Sequence, residues 1–257
     1  MVRRFSGQVR QPVMDNRMEE EVPGLPGSVA ARLFGVLSEF IAPELLSFGG
    51  GTVLAARWSH RVSLDVDLFC EPNAYDALGP GGRARLEAAI KTIPGCAEES
   101  TWCESIAVCA GIDGLEATLL PRTAVMGSAR PTRLAGTGLA LQSSAQILYA
   151  KVARRMYAGG EITARDAYDL ACARHFDLPA LQSTLGGIDP REIQVVREIV
   201  RTIPPDRLIT DRVRPLVEPC FEWTGEVLKE AVLEALDVPP AAPDNPEDDG
   251  GFRGLGQ

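Results

Sequence analysis

The sequence predicts an α+β domain followed by a helical domain. Three observations carry that expectation. Strand-like and helix-like patterns alternate through the first half of the chain, a strictly alternating segment follows a run of three glycines, and only helical periodicity remains beyond a loop-rich stretch near 122–138.

Residues 1–26 mix Arg, Glu, Pro and Gly with little periodicity and read as a flexible N-terminal arm. From Ser28 to Phe40 the apolar residues Val29, Leu33, Val36, Leu37 and Phe40 recur at helical spacing, with Ser28 as the N-cap and Pro43 as the stop. Leu45 to Phe48 reads as a short strand, Gly49-Gly50-Gly51 as a tight turn, and Thr52 to Trp58 as a helix. Val62 to Phe69 alternates, with Val62, Leu64, Val66 and Leu68 on one face and Ser63, Asp65, Asp67 and Phe69 on the other. A helix over Arg83–Ile93 is followed by strands over Ser105–Ala110 and Leu115–Leu120 around a Gly111–Gly114 turn. Helices then cover Ser144–Tyr157, Thr163–Phe176 and stretches near 179–185, 190–203 and 222–236. Pro, Asp and Gly dominate the end of the chain, so 239–257 reads as a disordered tail. The expected organisation is an arm (1–26), an α+β domain (27–125), a helical domain (126–238) and the tail.

Composition narrows the function classes. With 257 residues, 45% hydrophobic and 24% charged, the chain has ordinary globular usage and enough length to bury a core. No run approaches the roughly 18 apolar residues of a membrane span, and no apolar segment follows the basic N-terminus as in a secretory signal. The chain is therefore expected in the cytoplasm, away from membranes, with its six cysteines as reduced thiols. No C-x-x-C pair and only two histidines, His60 and His175, leave no zinc framework. A net charge of -9 argues against broad, nonspecific nucleic-acid binding. An acidic chain that binds an anionic nucleotide needs metal cations or a focused cluster of Lys and Arg.

Asp65 and Asp67 are two residues apart on a predicted strand, so both side chains leave one face, about 6–7 Å apart. Two such carboxylates repel unless a cation sits between them. Mg²⁺ suits the pair, because it takes oxygen ligands and is usually held by one or two carboxylates plus substrate phosphates. By itself, D-x-D is more often a solvent-facing strand edge with two harmless acids. The glycine turn upstream changes the balance: without Cβ atoms the backbone N–H groups of Gly50 and Gly51 can approach phosphate at a helix start, where Thr52 adds a hydroxyl.

At this point the residues resemble a known family. Gly50-Gly51-Thr52-Val53-Leu54, then Arg61-Val62-Ser63-Leu64-Asp65-Val66-Asp67-Leu68, then Lys151, then Arg165-Asp166-Ala167-Tyr168-Asp169-Leu170 resemble the AbiEii/AbiGii nucleotidyltransferase toxins of the polymerase-β-like superfamily. The resemblance implies a polymerase-β-like nucleotidyltransferase domain with a mixed sheet, ahead of a helical C-terminal domain. It implies transfer of an NMP from an NTP to an acceptor hydroxyl with release of pyrophosphate. Asp65 and Asp67 would hold Mg²⁺, and Gly50, Gly51, Thr52, Arg61, Ser63 and Lys151 would bind the nucleotide. Glu116, on the returning strand, is a candidate general base or third metal ligand, and Asp166 a catalytic-site residue positioning Lys151. Asp166 is equally a helix cap, Arg165 an i,i+4 partner of Asp169, and Lys151 a surface lysine.

The implied setting is a bacterial toxin–antitoxin or phage-defence system, with a cognate antitoxin as partner. The acceptor is tRNA, a protein side chain or a small molecule; tRNA or another RNA is favoured, met by Arg122, Arg130, Arg133, Arg154 and Arg155. One departure stands out: Gly49 occupies the place of the family's lysine before the two glycines. It favours the alternative, a non-catalytic nucleotide-binding or regulatory module that keeps the fold.

Overall fold

The computed structural model describes residues 18–122, 132–210 and 215–241. Arg130, residues 1–17 of the expected arm and residues 242–257 of the expected tail lie outside them.

The chain enters through a two-residue strand, β1 (Glu19–Glu20), and a helix, α1 (Leu25–Leu37). That helix begins earlier than the sequence suggests, because Pro26 fits the first turn, where its missing N–H costs nothing. Ser28 is therefore inside the helix rather than its cap. Strand β2 (Leu46–Gly49) runs directly into α2 (Gly50–Trp58). Strand β3 is confined to Val66–Cys70. The expected alternation from Val62 fails ahead of it: Val62 forms an isolated bridge with Val217, and Leu64 is 52% exposed. Asp65 thus sits at the entrance to the strand and Asp67 within it.

A short helix α3 (Pro72–Asp76) and a longer α4 (Gly79–Lys91) lead to three antiparallel strands, β4 (Cys96–Cys103), β5 (Val108–Ile112) and β6 (Leu115–Pro121). The expected strands near 105–110 and 115–120 correspond to β5 and β6. Strand β4 was not legible, because only Thr101 along it is buried and no apolar alternation marks it. Two short strands, β7 (Arg133–Leu134) and β8 (Ala140–Leu141), complete the sheet.

The eight strands among the described residues form one mixed sheet in the order β1-β7-β8-β2-β3-β6-β5-β4. Centrally, β3 pairs antiparallel with β2 and parallel with β6, placing Asp67 opposite Gly49 on one side and Thr118 on the other. Alternate residues Val66 and Leu68 of β3, Ala110 and Ile112 of β5, and Ala117 and Leu119 of β6 are buried with Leu33 and Leu37 of α1 and Leu86 and Ile90 of α4. Asp67, Glu116 and Thr118 leave the opposite face.

The helical segment that follows packs against α2 and reaches the edge of that face, where Arg165 meets Asp65. Helix α5 (Ser144–Tyr149) starts with a reciprocal Ser143–Gln146 capping box and continues as a π-helix over Ala150–Ala158. It is followed by α6 (Ala164–Phe176), α7 (Leu178–Gly186), α8 (Pro190–Thr202) and α9 (Gly225–Leu236). No helix among the described residues is long and apolar enough to cross a membrane.

Tyr168 of α6 ties the chain's late segment to the loop before β3. Its hydroxyl lies 3.3 Å from the His60 carbonyl and accepts from the Phe221 N–H at 2.9 Å, while the Cys220 N–H donates to the same carbonyl at 2.8 Å. Tyr168→Phe leaves the Phe221 N–H without its partner and is expected to cost about 1–3 kcal/mol. Chemical denaturation of both proteins checks this, and an unchanged midpoint would remove the hydroxyl from the account.

Candidate active site

The three glycines at the β2–α2 junction each make room for one particular side chain. A Cβ on Gly49 would lie 2.1 Å from Gln142 Oε1, one on Gly50 would lie 2.2 Å from Asp67 Oδ2, and one on Gly51 would lie 2.1 Å from Arg61 Nη2. Gly50 also has φ 73°, which side chains rarely adopt. The sequence points to glycines that admit phosphate. In the structure their first effect is to let a carboxylate and a guanidinium close onto the start of α2.

Thr52, expected to offer its hydroxyl to phosphate, is engaged within the protein. It is buried, its hydroxyl donates to the backbone carbonyl of Asp65, and it lies 3.0 Å from Ser63 Oγ. Thr52 and Ser63 thereby hold the connector that carries Asp65.

Asp67 receives the Thr118 hydroxyl at 3.1 Å. Burial, and then the neighbouring charge of Asp65, hold its carboxyl above the usual carboxylate range. Asp65 is more open, and Arg165 Nη1 donates to its Oδ2 at 2.6 Å. This replaces the expected Arg165–Asp169 pair within the helix.

Asp169 has other partners. Arg61 grips it with a two-pronged contact, Nε to Oδ1 at 2.7 Å and Nη2 to Oδ2 at 2.9 Å. His60 Nε2 lies 2.7 Å from Oδ1, and Lys151 Nζ 2.9 Å from Oδ2. Lys151 also donates to Asp166 at 2.6 Å, and Arg155 pairs with Asp166 at 2.8 Å. Lys151 is 2% exposed, so it is no surface lysine. The widened turns of the π-helix stack Lys151 and Arg155 over the same carboxylate. Cationic neighbours hold Asp166 below the usual range and Asp169 well below it, against the opposing pull of burial.

Thr163 caps α6 by accepting from the Asp166 N–H at 3.1 Å, which frees the Asp166 carboxylate to face Lys151. Asp166 Oδ2 remains buried without a hydrogen-bond partner.

These groups surround one small cavity of about 20 Å³. Gly51, Asp65 and Asp67 line one side, and Lys151, Arg155, Arg165 and Asp166 the other. Such a space holds roughly one water or one bare ion. Glu116 is exposed on the site face of β6, but no group of three or more metal-ligating residues assembles among the described residues. Asp65 and Asp67 line the cavity from the sheet side and Asp166 from across it, with Glu116 outside the described lining. Two carboxylates do suit Mg²⁺, which usually completes its shell with water and substrate phosphates. Burial first, and the charge of Asp65 second, raise the Asp67 carboxyl, and a cation held between the two carboxylates would oppose both.

Of the expected basic track, Arg122, Arg154 and Arg155 come together. Partial burial, then the charges of Arg154 and Arg155, lower the Arg122 guanidinium pKa. Arg133 instead closes its own hairpin by donating to the Gly138 carbonyl. A larger cavity of about 720 Å³ lies beside Tyr168, Phe221 and Trp223, but its described lining contains Asp206, Glu222 and Glu226 and no cation, which suits polyphosphate poorly.

Asp169 is the main site residue that sequence reasoning undervalued. Its spacing from Asp166, i and i+3, places both acids on one helix face towards a lysine, and that signal was present.

Residues 32–102 match the family model described as nucleotidyl transferase AbiEii toxin, Type IV TA system. The matched segment contains the glycine turn, Arg61, Ser63, Asp65 and Asp67, and stops before Glu116, Lys151 and Asp166. No curated protein matches the chain. The match supports the resemblance read from the motifs and a nucleotidyltransferase, toxin-type role in general.

Asp169→Asn keeps the shape but removes the charge that Arg61 and Lys151 share, and is expected to cost about 3–5 kcal/mol at neutral pH. The depressed pKa values of Asp166 and Asp169 mean that their contribution is complete above the unfolded carboxylate pKa of ~4 and is lost as pH falls through the folded values. Wild-type stability should thus drop steeply below about pH 4, and the Asn variant should start lower and drop less. Unfolding curves from neutral to acidic pH test both points; parallel pH profiles would contradict the assignment.

Proposed function

We propose that the chain is a Mg²⁺-dependent nucleotidyltransferase that moves an NMP from an NTP to an RNA hydroxyl, tRNA foremost, and releases pyrophosphate. The observation that carries this reading is the convergence on one cavity of Asp65, Asp67 and Gly51 from the sheet side with Lys151, Arg155 and Asp166 from the helical side. The toxin role, with a cognate antitoxin and a cytoplasmic setting, follows from the family resemblance.

In this reading Asp65 and Asp67 hold Mg²⁺, which when bound would neutralise the NTP phosphates and promote loss of the acceptor proton. The amides of Gly50 and Gly51, at the positive end of α2, receive phosphate. Lys151 faces the phosphates as a point charge fixed by Asp166 and Asp169, so it enters the reaction already oriented. Arg61, Ser63 and Thr52 act as positioning residues: Arg61 locks the glycine turn to α6, and Thr52 and Ser63 hold the Asp65 backbone. Glu116 is assigned a supporting part in accepting the acceptor's proton. Arg122, Arg154 and Arg155 give the RNA backbone a cationic approach beside Asp67, so RNA use should weaken with salt.

A second reading, a nucleotide-binding module without turnover, is favoured by Gly49 and by the Gln142 side chain that fills the space where the family's lysine would begin. Mg²⁺-dependent pyrophosphate release in the presence of each NTP and total RNA separates the two.

Asp67→Asn is expected to lower that release by ~10² or more. It should leave the fold as stable or more stable at neutral pH. Because the Asp67 pKa is raised in the folded state, its ionised form costs stability near neutrality, and the cost disappears as pH falls through the folded pKa. Retained turnover in Asp65→Asn and Asp67→Asn would eliminate the two-carboxylate mechanism, and unfolding of both would make the pair structural.

A further inference from the structure

Arg165 differs from the other cations of the cavity. Arg61, Lys151 and Arg155 are each paired with Asp166 or Asp169 on α6 itself. Arg165 leaves that helix and pairs across the cavity with Asp65, and the two side chains are 15% and 43% exposed. A part-exposed pair of this kind is held far more weakly than the buried network behind it. Its location adds a second penalty. Arg165 lies in the first turn of α6, next to the Thr163 cap, where the helix dipole disfavours a cation. Asp65 in turn has a like charge nearby, since its field helps to raise the Asp67 carboxyl.

The cavity is also too small for a nucleotide, and Arg165 and Asp65 both line it. We propose that Arg165 is a resident counter-ion that occupies the Asp65 carboxylate until a divalent cation displaces it, so that metal loading and opening of the cavity are a single event. The released guanidinium then stands free at the cavity mouth for a phosphate of the incoming substrate. This rests on the assignment of Asp65 and Asp67 as the metal-holding pair, but gives Arg165 a role opposed to metal binding in the empty protein.

The test is Mn²⁺ binding to the whole chain without nucleotide, followed by electron paramagnetic resonance of the free ion. Arg165→Gln keeps a donor and most of the side-chain length while removing the charge; Arg165→Ala removes the contact altogether. Both variants are expected to bind Mn²⁺ more tightly than wild type, by up to about fivefold, as loss of a competing part-exposed ion pair predicts. Asp67→Asn combined with either should abolish the gain. A purely structural Arg165 would leave the Mn²⁺ affinity unchanged or lower it. Equal, measurable binding by wild type and Arg165→Gln overturns the counter-ion and leaves the metal pair standing. Absence of Mn²⁺ binding in all folded variants overturns both.

Discussion

Asp169 is the group on which the arrangement of the site depends. One buried carboxylate receives His60 and Arg61 from the connector before β3 and Lys151 from the π-helical segment. Through Arg61 it fixes the closed contact with Gly51, and through Lys151 it fixes the π-helical segment. Buried ion pairs add little net stability when compared with apolar packing, because desolvation offsets the attraction. Their value here is geometric. A charge that cannot be left unpaired in the interior forces the glycine turn, the loop before β3 and two helices into one relative placement.

The charges are graded from the interior outward. Asp169 and Asp166 are almost fully buried and hold Arg61 and Lys151, which are buried too. Arg155 reaches Asp166 from the rim, and Arg165 and Asp65 meet at the most open edge. Interactions at the inner end are costly to break and those at the outer end cheap. A rigid back wall with an exchangeable front is what a site needs if it must hold cations in place and still admit a charged substrate.

Much of this was legible in the sequence, for identifiable reasons. Glycines, proline-ended strands and two-residue spacing between acids are local signals, so the β2–α2 turn, β5, β6 and the cavity-facing side of β3 were readable. The start of β3 was not, because the alternation of Val62 and Leu64 imitates a strand in a connector held by Val217 and Thr52. Strand β4 hid because an edge strand with exposed side chains has no apolar rhythm. Pairing across the fold was least legible: Arg165 has an acid at helical distance in its own helix and binds another one from the far side of the site. Local spacing offers candidates, and only the tertiary arrangement selects among them.

The packing at Gly49 has a consequence for the order in which substitutions can accumulate. Gln142 Oε1 occupies the volume next to the Gly49 backbone, so positions 49 and 142 share one space. A larger residue at 49 must push the Gln142 side chain aside unless position 142 shrinks first. The two positions are therefore coupled, but gently: the obstacle is the tip of a flexible side chain, so a larger residue at 49 can enter once Gln142 swings away, and a smaller residue at 142 would ease its entry.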